Sequence, residues 1–454
     1  MEKTTKQSED RQSDPQNSRS GKSEQKDKTI WPHQVQGGKY VKLLEKFVHS
    51  LRQEEAQSAH GNQKLFLDDV FIVYLLSFFN ASIKSLRLIE DFSQTIQGKR
   101  HLTMRKICKS TLSDFNAMAD PKRLEPLIES LRQSLQKSGI KGKTEKGGLT
   151  ELLKKTVAVD GTFLPALSNV AWAVRNKNQH GSQSYRARFD VLLKVDSWLP
   201  EAIVVPEKKQ SEADSARQHI QPGNLYLYDR GYVSLPLIAN HYTWEEADNP
   251  KKQAEFVIRL KGDANSKGSI TLKTIQERKL TREDREAGVV QDRLVRLPSG
   301  DAAKLGLQYV ELREVIIEYE QDGETKTLRL LTNILDIAAH LVGDLYRHRW
   351  QVELFFRWIK SYGNFRHLIS QTKQGMQLSL YVAIIGIMLM YLHTGFRPSK
   401  YMFAMMGQVS SGGATLEEIT PILRERERQC ELARQSQRLR NAKKRAEKMK
   451  QQQS

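Results

Sequence analysis

The chain has 454 residues, more than one hydrophobic core usually serves, so two or more structural units are expected. Its 72 Lys and Arg exceed its 53 Asp and Glu, giving a formal net charge of +19 and a pI near 9.6; that excess favours a polyanionic partner such as nucleic acid, although a membrane or ribosome surface suits the same balance. Two distant cysteines, Cys108 and Cys430, belong to no CxxC or Cys/His cluster, which argues against a disulfide framework and a structural zinc site and fits a reducing cytoplasm. The first residues carry charge, Gln and Ser rather than the apolar stretch of a secretory signal.

Residues 1–38 hold too few large apolar side chains to offset the entropy of ordering and read as a disordered polar tail. From 39 to 136 the pattern is helical. Leu65–Phe79 is densely apolar, Asn80 is placed to cap a helix running to Phe92, Ser110 or Thr111 to cap another, and Asp120-Pro121 to open one that reaches about Gln136. Short helices between polar turns suit a DNA-binding unit and fit any small helical bundle as well. Residues 137–149 are rich in Gly and Lys and read as a linker.

The pattern then changes. Strands are predicted at Val157–Val159, Tyr185–Val195, Ala202–Val205, Leu225–Tyr228 and Phe256–Leu260, with helices at Ser211–Ile220 and Leu235–Tyr242. Residues 150–262 are therefore expected to build an α/β fold with a mixed sheet. The block 263–334 offers only strand-like runs, Gln291–Leu297, Tyr309–Tyr319 and Thr325–Thr332, and reads as a β insertion. Residues 335–400 are helical again, with one long helix over Ile337–Tyr362 followed by the apolar run Leu378–Leu392. At fifteen residues that run falls short of the roughly 20 that span a bilayer, so a buried core helix is expected. Residues 401–454 form a basic tail: beyond Leu423, eleven Lys and Arg accompany four Glu, which adds nonspecific DNA affinity.

Three carboxylates stand out. At about 100° per residue, Tyr346, Arg349, Glu353 and Lys360 share one stripe roughly 60° wide. It lies beside an apolar face made by Leu345, Val352, Phe355, Phe356 and Ile359. Taken alone, a solvated face with ordinary i,i+4 pairing of Arg349 and Glu353 explains the stripe. Asp160 and Asp229 each follow an apolar run and precede a Gly-containing turn, which places each at a strand end. Either alone reads as a turn or cap residue. Together with Glu353 they make a hard-oxygen set suited to Mg²⁺ or Mn²⁺ rather than zinc. Two such ions about 4 Å apart support in-line phosphoryl displacement by a water or a 3′-hydroxyl. The sequence contains no Walker loop and no HExxH. Among other polar residues, His180 reads as a turn residue, Arg230 as either a phosphate contact or an internal partner, Thr162 and Tyr232 as supports for the aspartate loops, and Thr332-Asn333 as a turn.

The spacing Tyr346-x2-Arg349-x3-Glu353-x6-Lys360 resembles the Y-(2)-R-(3)-E-(6)-K signature of insertion-sequence transposases of the IS-four type, within the DDE superfamily. Val159-Asp160-Gly161-Thr162 and Tyr228-Asp229-Arg230-Gly231-Tyr232 resemble its two aspartate motifs, in the same order. The resemblance implies an RNase H-like catalytic core with a β insertion between the second aspartate and the glutamate. It implies that Asp160, Asp229 and Glu353 are catalytic and hold two Mg²⁺ or Mn²⁺ ions, and that Tyr346, Arg349 and Lys360 contact phosphates of the transposon end. The function implied is cut-and-paste DNA transposition by a homodimer acting on terminal inverted repeats and target DNA. A catalytically inactive DNA-binding protein of the same fold and a metal-dependent nuclease are the alternatives. Members of this type can cut through a hairpin that stacks a flipped base on an aromatic side chain, yet residues 263–334 contain neither Trp nor Phe.

Overall fold

Alternating β-branched and small apolar residues from Thr156 onward favour an extended chain, and β1 (Thr156–Ala166) opens a ten-stranded mixed sheet. The computed structural model describes residues 41–452 except 60, 62, 81, 96–105, 139–148, 167–173, 178–182, 207–209, 247–248, 262–269, 299, 362–368, 371 and 412. The expected polar tail, most of the expected linker and His180 lie outside the described residues.

After β1 come β2 (Val174–Lys177), β3 (Gln183–Lys194), β4 (Pro200–Val204), β5 (Leu225–Tyr228), β6 (Tyr242–Glu246), β7 (Asn249–Lys252) and β8 (Glu255–Arg259). The chain continues through β9 (Lys273–Glu277), β10 (Val289–Arg296), β11 (Leu312–Gln321) and β12 (Glu324–Thr332). Across the sheet the order is β2, β3, β1, β5, β8, β12, β11, β10, β9, with β4 paired to β3; β6 and β7 form a separate hairpin. β5 runs parallel to both β1 and β8, and the remaining pairs are antiparallel.

Period-two alternation sorts the side chains onto two faces. Ala158, Leu225, Leu227 and Val257 enter one core, shared with the helices Leu149–Lys154, Ala339–Arg347 and Trp350–Ser361. Val157, Val159, Tyr226, Tyr228 and Phe256 enter the other, under the short helices Glu212–Arg217 and Leu235–Ala239.

The block from 273 to 332 continues the same sheet, because Leu331 of β12 pairs with Ile258 of β8. Charged residues fix its register. Arg313 is 1% exposed and makes two bonds to Asp292, at 2.7 and 2.8 Å. Glu314, fully buried on the same strand, meets Arg293 and Arg329. Buried charges are tolerated only with all partners in place, so a one-residue slip of these strands is costly. Arg313 Nη1 also donates to Ile337 O (2.6 Å), and Asp284 Oδ1 accepts from His340 N (2.9 Å), which anchors the start of the helix Ala339–Arg347 to the sheet extension.

The N-terminal helices Val41–Ser58, Leu67–Phe79, Leu86–Gln94, Lys109–Met118 and Glu125–Lys137 share one hydrophobic core with Lys373–Thr394. Thr372 Oγ1 donates to Asn116 O (2.8 Å) and Tyr381 Oη to Glu125 Oε1 (2.9 Å). The caps differ from expectation. Ser85, not Asn80, accepts from Leu88 N and opens the third helix, and the fourth starts after Cys108, ahead of both Ser110 and Thr111. The C-terminal apolar helix has 22 residues, more than the apolar run alone, and is long enough to cross a membrane; 83% of its apolar window is buried inside the protein. The last helix, Leu416–Gln452, buries Ile419 and Leu423, while Leu432 and Leu439 further along are exposed.

A Cβ added at Gly386 would stand 2.7 and 2.8 Å from two carbons of the Phe78 ring. Gly386→Ala should therefore lower stability by about 1–3 kcal/mol through overpacking, read as a fall in the urea midpoint. A wild-type midpoint would show that the apolar helix is not seated against Phe78.

Candidate active site

In the parallel ladder Ala158 lies beside Leu227. Two residues further along each strand, Asp160 and Asp229 leave the ladder at the same level, and alternation turns both toward the face of Ala158 and Leu227, where the helix Trp350–Ser361 packs. Asp229 ends β5 and begins a tight turn over Arg230–Tyr232, as expected. Asp160 does not end its strand. β1 continues to Ala166 against β3, with Asp160 opposite Val191 and Gly161 opposite Asp190, so Gly161 makes no turn. What stops at Ala158 is the pairing with β5, and this opens the flank of Asp160 toward Asp229.

The expected single helix over Ile337–Tyr362 is two helices, Ala339–Arg347 and Trp350–Ser361. Between them the hydrogen bonds tighten to the i−3 carbonyl: His348 N to Leu345 O and Arg349 N to Tyr346 O, both 3.0 Å. The contacts on either side of this turn are tertiary. Tyr346 Oη donates to Asp229 Oδ1 at 3.3 Å. Arg349 Nη2 donates to Glu353 Oε1 at 2.5 Å, and its Nη1 lies 3.8 Å from Asp160 Oδ2. Two adjacent side chains thus reach all three carboxylates. Tyr346 is 7% and Arg349 9% exposed, so this part of the stripe is not a solvated face.

Lys360 is half-buried; burial lowers its pKa, and the facing Asp160 opposes that shift. Arg230 is exposed, and its side chain makes no hydrogen bond or ion pair to a described residue. Thr332 and Asn333 are not a simple turn: Thr332 Oγ1 donates to Phe256 O, while Asn333 accepts from Phe256 N and donates to Ala254 O, latching β12 to β8.

Two further acids escaped the sequence reading. Asp190, 2% exposed on β3, pairs with Arg188. Glu212 opens the helix Glu212–Arg217, and burial, then Asp190, raises its pKa. A carboxylate inside the apolar run Phe189-Asp190-Val191-Leu192 was the available signal for the first. Glu212 follows the capping Ser211 and is indistinguishable in sequence from an ordinary first-turn acid. Tyr232 is 1% exposed and its hydroxyl has no hydrogen-bond partner. Among the described residues no three His, Cys, Asp or Glu side chains are arranged to hold a metal ion as they stand; the Arg349 guanidinium contacts both Asp160 and Glu353.

Burial, opposed by Arg349 and by the Gly161 N–H, pushes the Asp160 carboxyl up to about 7. An unfolded aspartate titrates near about 3.9, so the folded chain binds the extra proton between these values. The contribution of Asp160 to stability is full below about pH 4 and is lost as the pH rises through about 7. In chelator, Asp160→Asn should unfold at higher urea than wild type at pH 8, with the advantage disappearing toward pH 4. An advantage of equal size at both pH values would contradict the shift.

The model of the family described as "Transposase DDE domain" matches residues 151–389, just over half of the chain. A Sinorhizobium fredii protein named "Putative transposase y4zB" is 30% identical over 234 residues, covering 51% of this chain and 59% of the relative. A Geobacillus stearothermophilus protein named "Probable transposase for insertion sequence element IS5377" is 34% identical over 70 residues, 15% of this chain and 19% of the relative. The chain therefore spans less than two thirds of the length of either relative. Among solved structures, a piggyBac transposase synaptic complex with hairpin DNA aligns with a TM-score of 0.38 and 10% identity over 82% of this chain and 78% of that one. With the matched region running from just before β1 to within the apolar helix and enclosing Asp160, Asp229 and Glu353, the chain belongs to the transposase DDE domain family.

Proposed function

We propose that this chain is a DNA transposase whose Asp160, Asp229 and Glu353 hold two Mg²⁺ or Mn²⁺ ions for phosphoryl transfer at transposon ends. The observation that carries the reading is the convergence of the three acids on the neighbouring Tyr346 and Arg349. β3, β1, β5 and β8 with their crossover helices make the RNase H-like core in this reading, and β9–β12 the insertion between the second aspartate and the glutamate.

The residues fit divalent ions. All three donors are hard carboxylate oxygens. The orphaned Tyr232 hydroxyl is buried among acidic charges, and the missing side chain of Gly161 leaves a cradle beside Asp160. Bound there, the ions supply Lewis-acid activation of a water or 3′-hydroxyl and stabilise charge on the leaving oxygen. The protein's own part is to position and to neutralise. Asp160 and Asp229 are fixed side by side by the strand register, and Glu353 is brought to them by the first turn of its helix. Arg349 supplies the counter-charge in the present arrangement; released from Asp160, its planar fork suits a phosphate. Lys360, Tyr346 and the exposed Arg230 would position the DNA backbone without reading its sequence. The N-terminal helices and the basic C-terminal helix would add duplex contacts, and a homodimer would bring two ends together. A protein that only bound DNA would gain nothing from holding three carboxylates close together, with Asp160 raised by burial.

Single changes Asp160→Asn, Asp229→Asn and Glu353→Gln should each abolish Mg²⁺-dependent cleavage of an end-bearing duplex while end binding persists in a mobility shift. Full cleavage by any one of them would remove that residue from the triad. Lys360→Ala should weaken end binding and reduce the slope of log K against log salt by about 0.9, one phosphate contact. An unchanged slope would make Lys360 a surface cation with no contact to DNA.

A further inference from the structure

Glu353 approaches the paired aspartates from one face of the sheet. A fourth carboxylate approaches from the other. Glu212 stands at the start of a helix whose Ala213 and Ala216 belong to the opposite core, and it reaches the site past two glycines. A Cβ on Gly161 would lie 2.9 Å from Glu212 Oε1 and 2.9 Å from Asp190 Oδ1; one on Gly231 would lie 3.4 Å from Glu212 Oε2. One oxygen of Glu212 therefore rests over the glycine that follows Asp160, and the other over the glycine two places after Asp229. Any side chain at Gly161 would displace it.

The loop before Glu212 is held for this purpose by Arg188, whose Nη1 donates to Gln210 O (2.7 Å) and Nη2 to Ser211 O (3.3 Å). Arg188 also pairs with Asp190. The carboxylate of Glu212 itself accepts no hydrogen bond from any described residue, although it is only half-exposed to solvent and faces the negative charges of Asp190 and Asp229. An independent observation comes from Tyr232. Its hydroxyl, 1% exposed and without a partner, stands among the charges of Asp190, Asp160 and Glu212. Arg188 pairs with Asp190 and Arg349 with Asp160, while Glu212 has no ion pair among the described residues and the Tyr232 hydroxyl no partner, so the group is short of positive charge and of one polar partner.

We propose that Glu212 is a fourth carboxylate of the ion site, ligating a divalent cation shared with Asp160 and Asp229 from the face opposite Glu353. The inference rests on the reading that Asp160, Asp229 and Glu353 hold divalent ions. Neither the spacing signature nor the two aspartate motifs include Glu212.

Mn²⁺ titrated into the full chain, with free Mn²⁺ read by electron paramagnetic resonance, tests it without any DNA cleavage. Glu212→Gln, nearly isosteric, should weaken Mn²⁺ binding about tenfold or more, and in chelator its melting temperature should equal or exceed that of wild type because repulsion among the acids is relieved. Mn²⁺ affinity within twofold of wild type overturns the proposal, as does a lowered metal-free melting temperature with unchanged affinity, which marks a structural role. Should Glu212→Gln not fold, Glu212→Asp keeps the charge and draws it back by one methylene; it should lose affinity severalfold, and wild-type affinity there overturns the proposal equally. Asp160→Asn in the same titration separates the two readings. If it loses Mn²⁺ and Glu212→Gln does not, only the fourth ligand fails. If neither loses Mn²⁺, the triad as an ion site fails first.

Discussion

Once one hydrogen-bonded pair is set in a parallel ladder, every later neighbour along both strands is set with it. Here the pairing of Ala158 with Leu227 makes Asp160 and Asp229 neighbours, and the alternation of the same strands turns them to one face. The apolar residues before each acid are therefore part of the site. Val157 and Val159 on one side and Ala158 on the other hold β1 between two cores, and a one-residue slip against β5 would send one aspartate to the wrong face.

Bringing acids together in a half-buried place raises their energy, and the surrounding residues show how the fold meets it. Arg349 sits in the tight turn between two helices and bridges Asp160 and Glu353, while the Tyr346 hydroxyl takes Asp229. Tyr346 and Arg349 thus belong to the electrostatics of the carboxylates. Arg188 does similar work for Asp190 and the segment before Glu212. Glycines complete the arrangement, since only at Gly161 does the strand leave space for two carboxylate oxygens against its own backbone.

Much of this was legible in the sequence, and the failures have a common origin. The apolar runs before Asp160 and Asp229 located the strands, and the stripe of Tyr346, Arg349, Glu353 and Lys360 located residues that do converge, with Tyr346 and Arg349 at the carboxylates. Periodicity is a local signal. It passed over the break at His348-Arg349 because two residues of tighter winding scarcely disturb an apolar face. It placed Asp160 at a strand end because Gly161-Thr162 resembles a turn; only the long-range partner β3 keeps the chain extended there. It gave three of the four strands described in the 263–334 block, missed β9 and the short helix Arg282–Glu286, and did not give the edge-to-edge union with β8, which depends on residues far apart in the chain. Glu212 was invisible because its surroundings are built from three other segments.

That union also sets an order of assembly. β5 can join β1 as soon as both have left the ribosome, which brings Asp160 and Asp229 together early. Glu353 lies beyond β12, and the helix before its own is anchored at Ile337 to β11 and at His340 to Asp284, in a segment that must first close on β8 across a long stretch of chain. Closing so long a loop is slow compared with local pairing. A nascent or partly folded chain therefore holds two of the three acids side by side without the third, and the constellation is complete only when the sheet is.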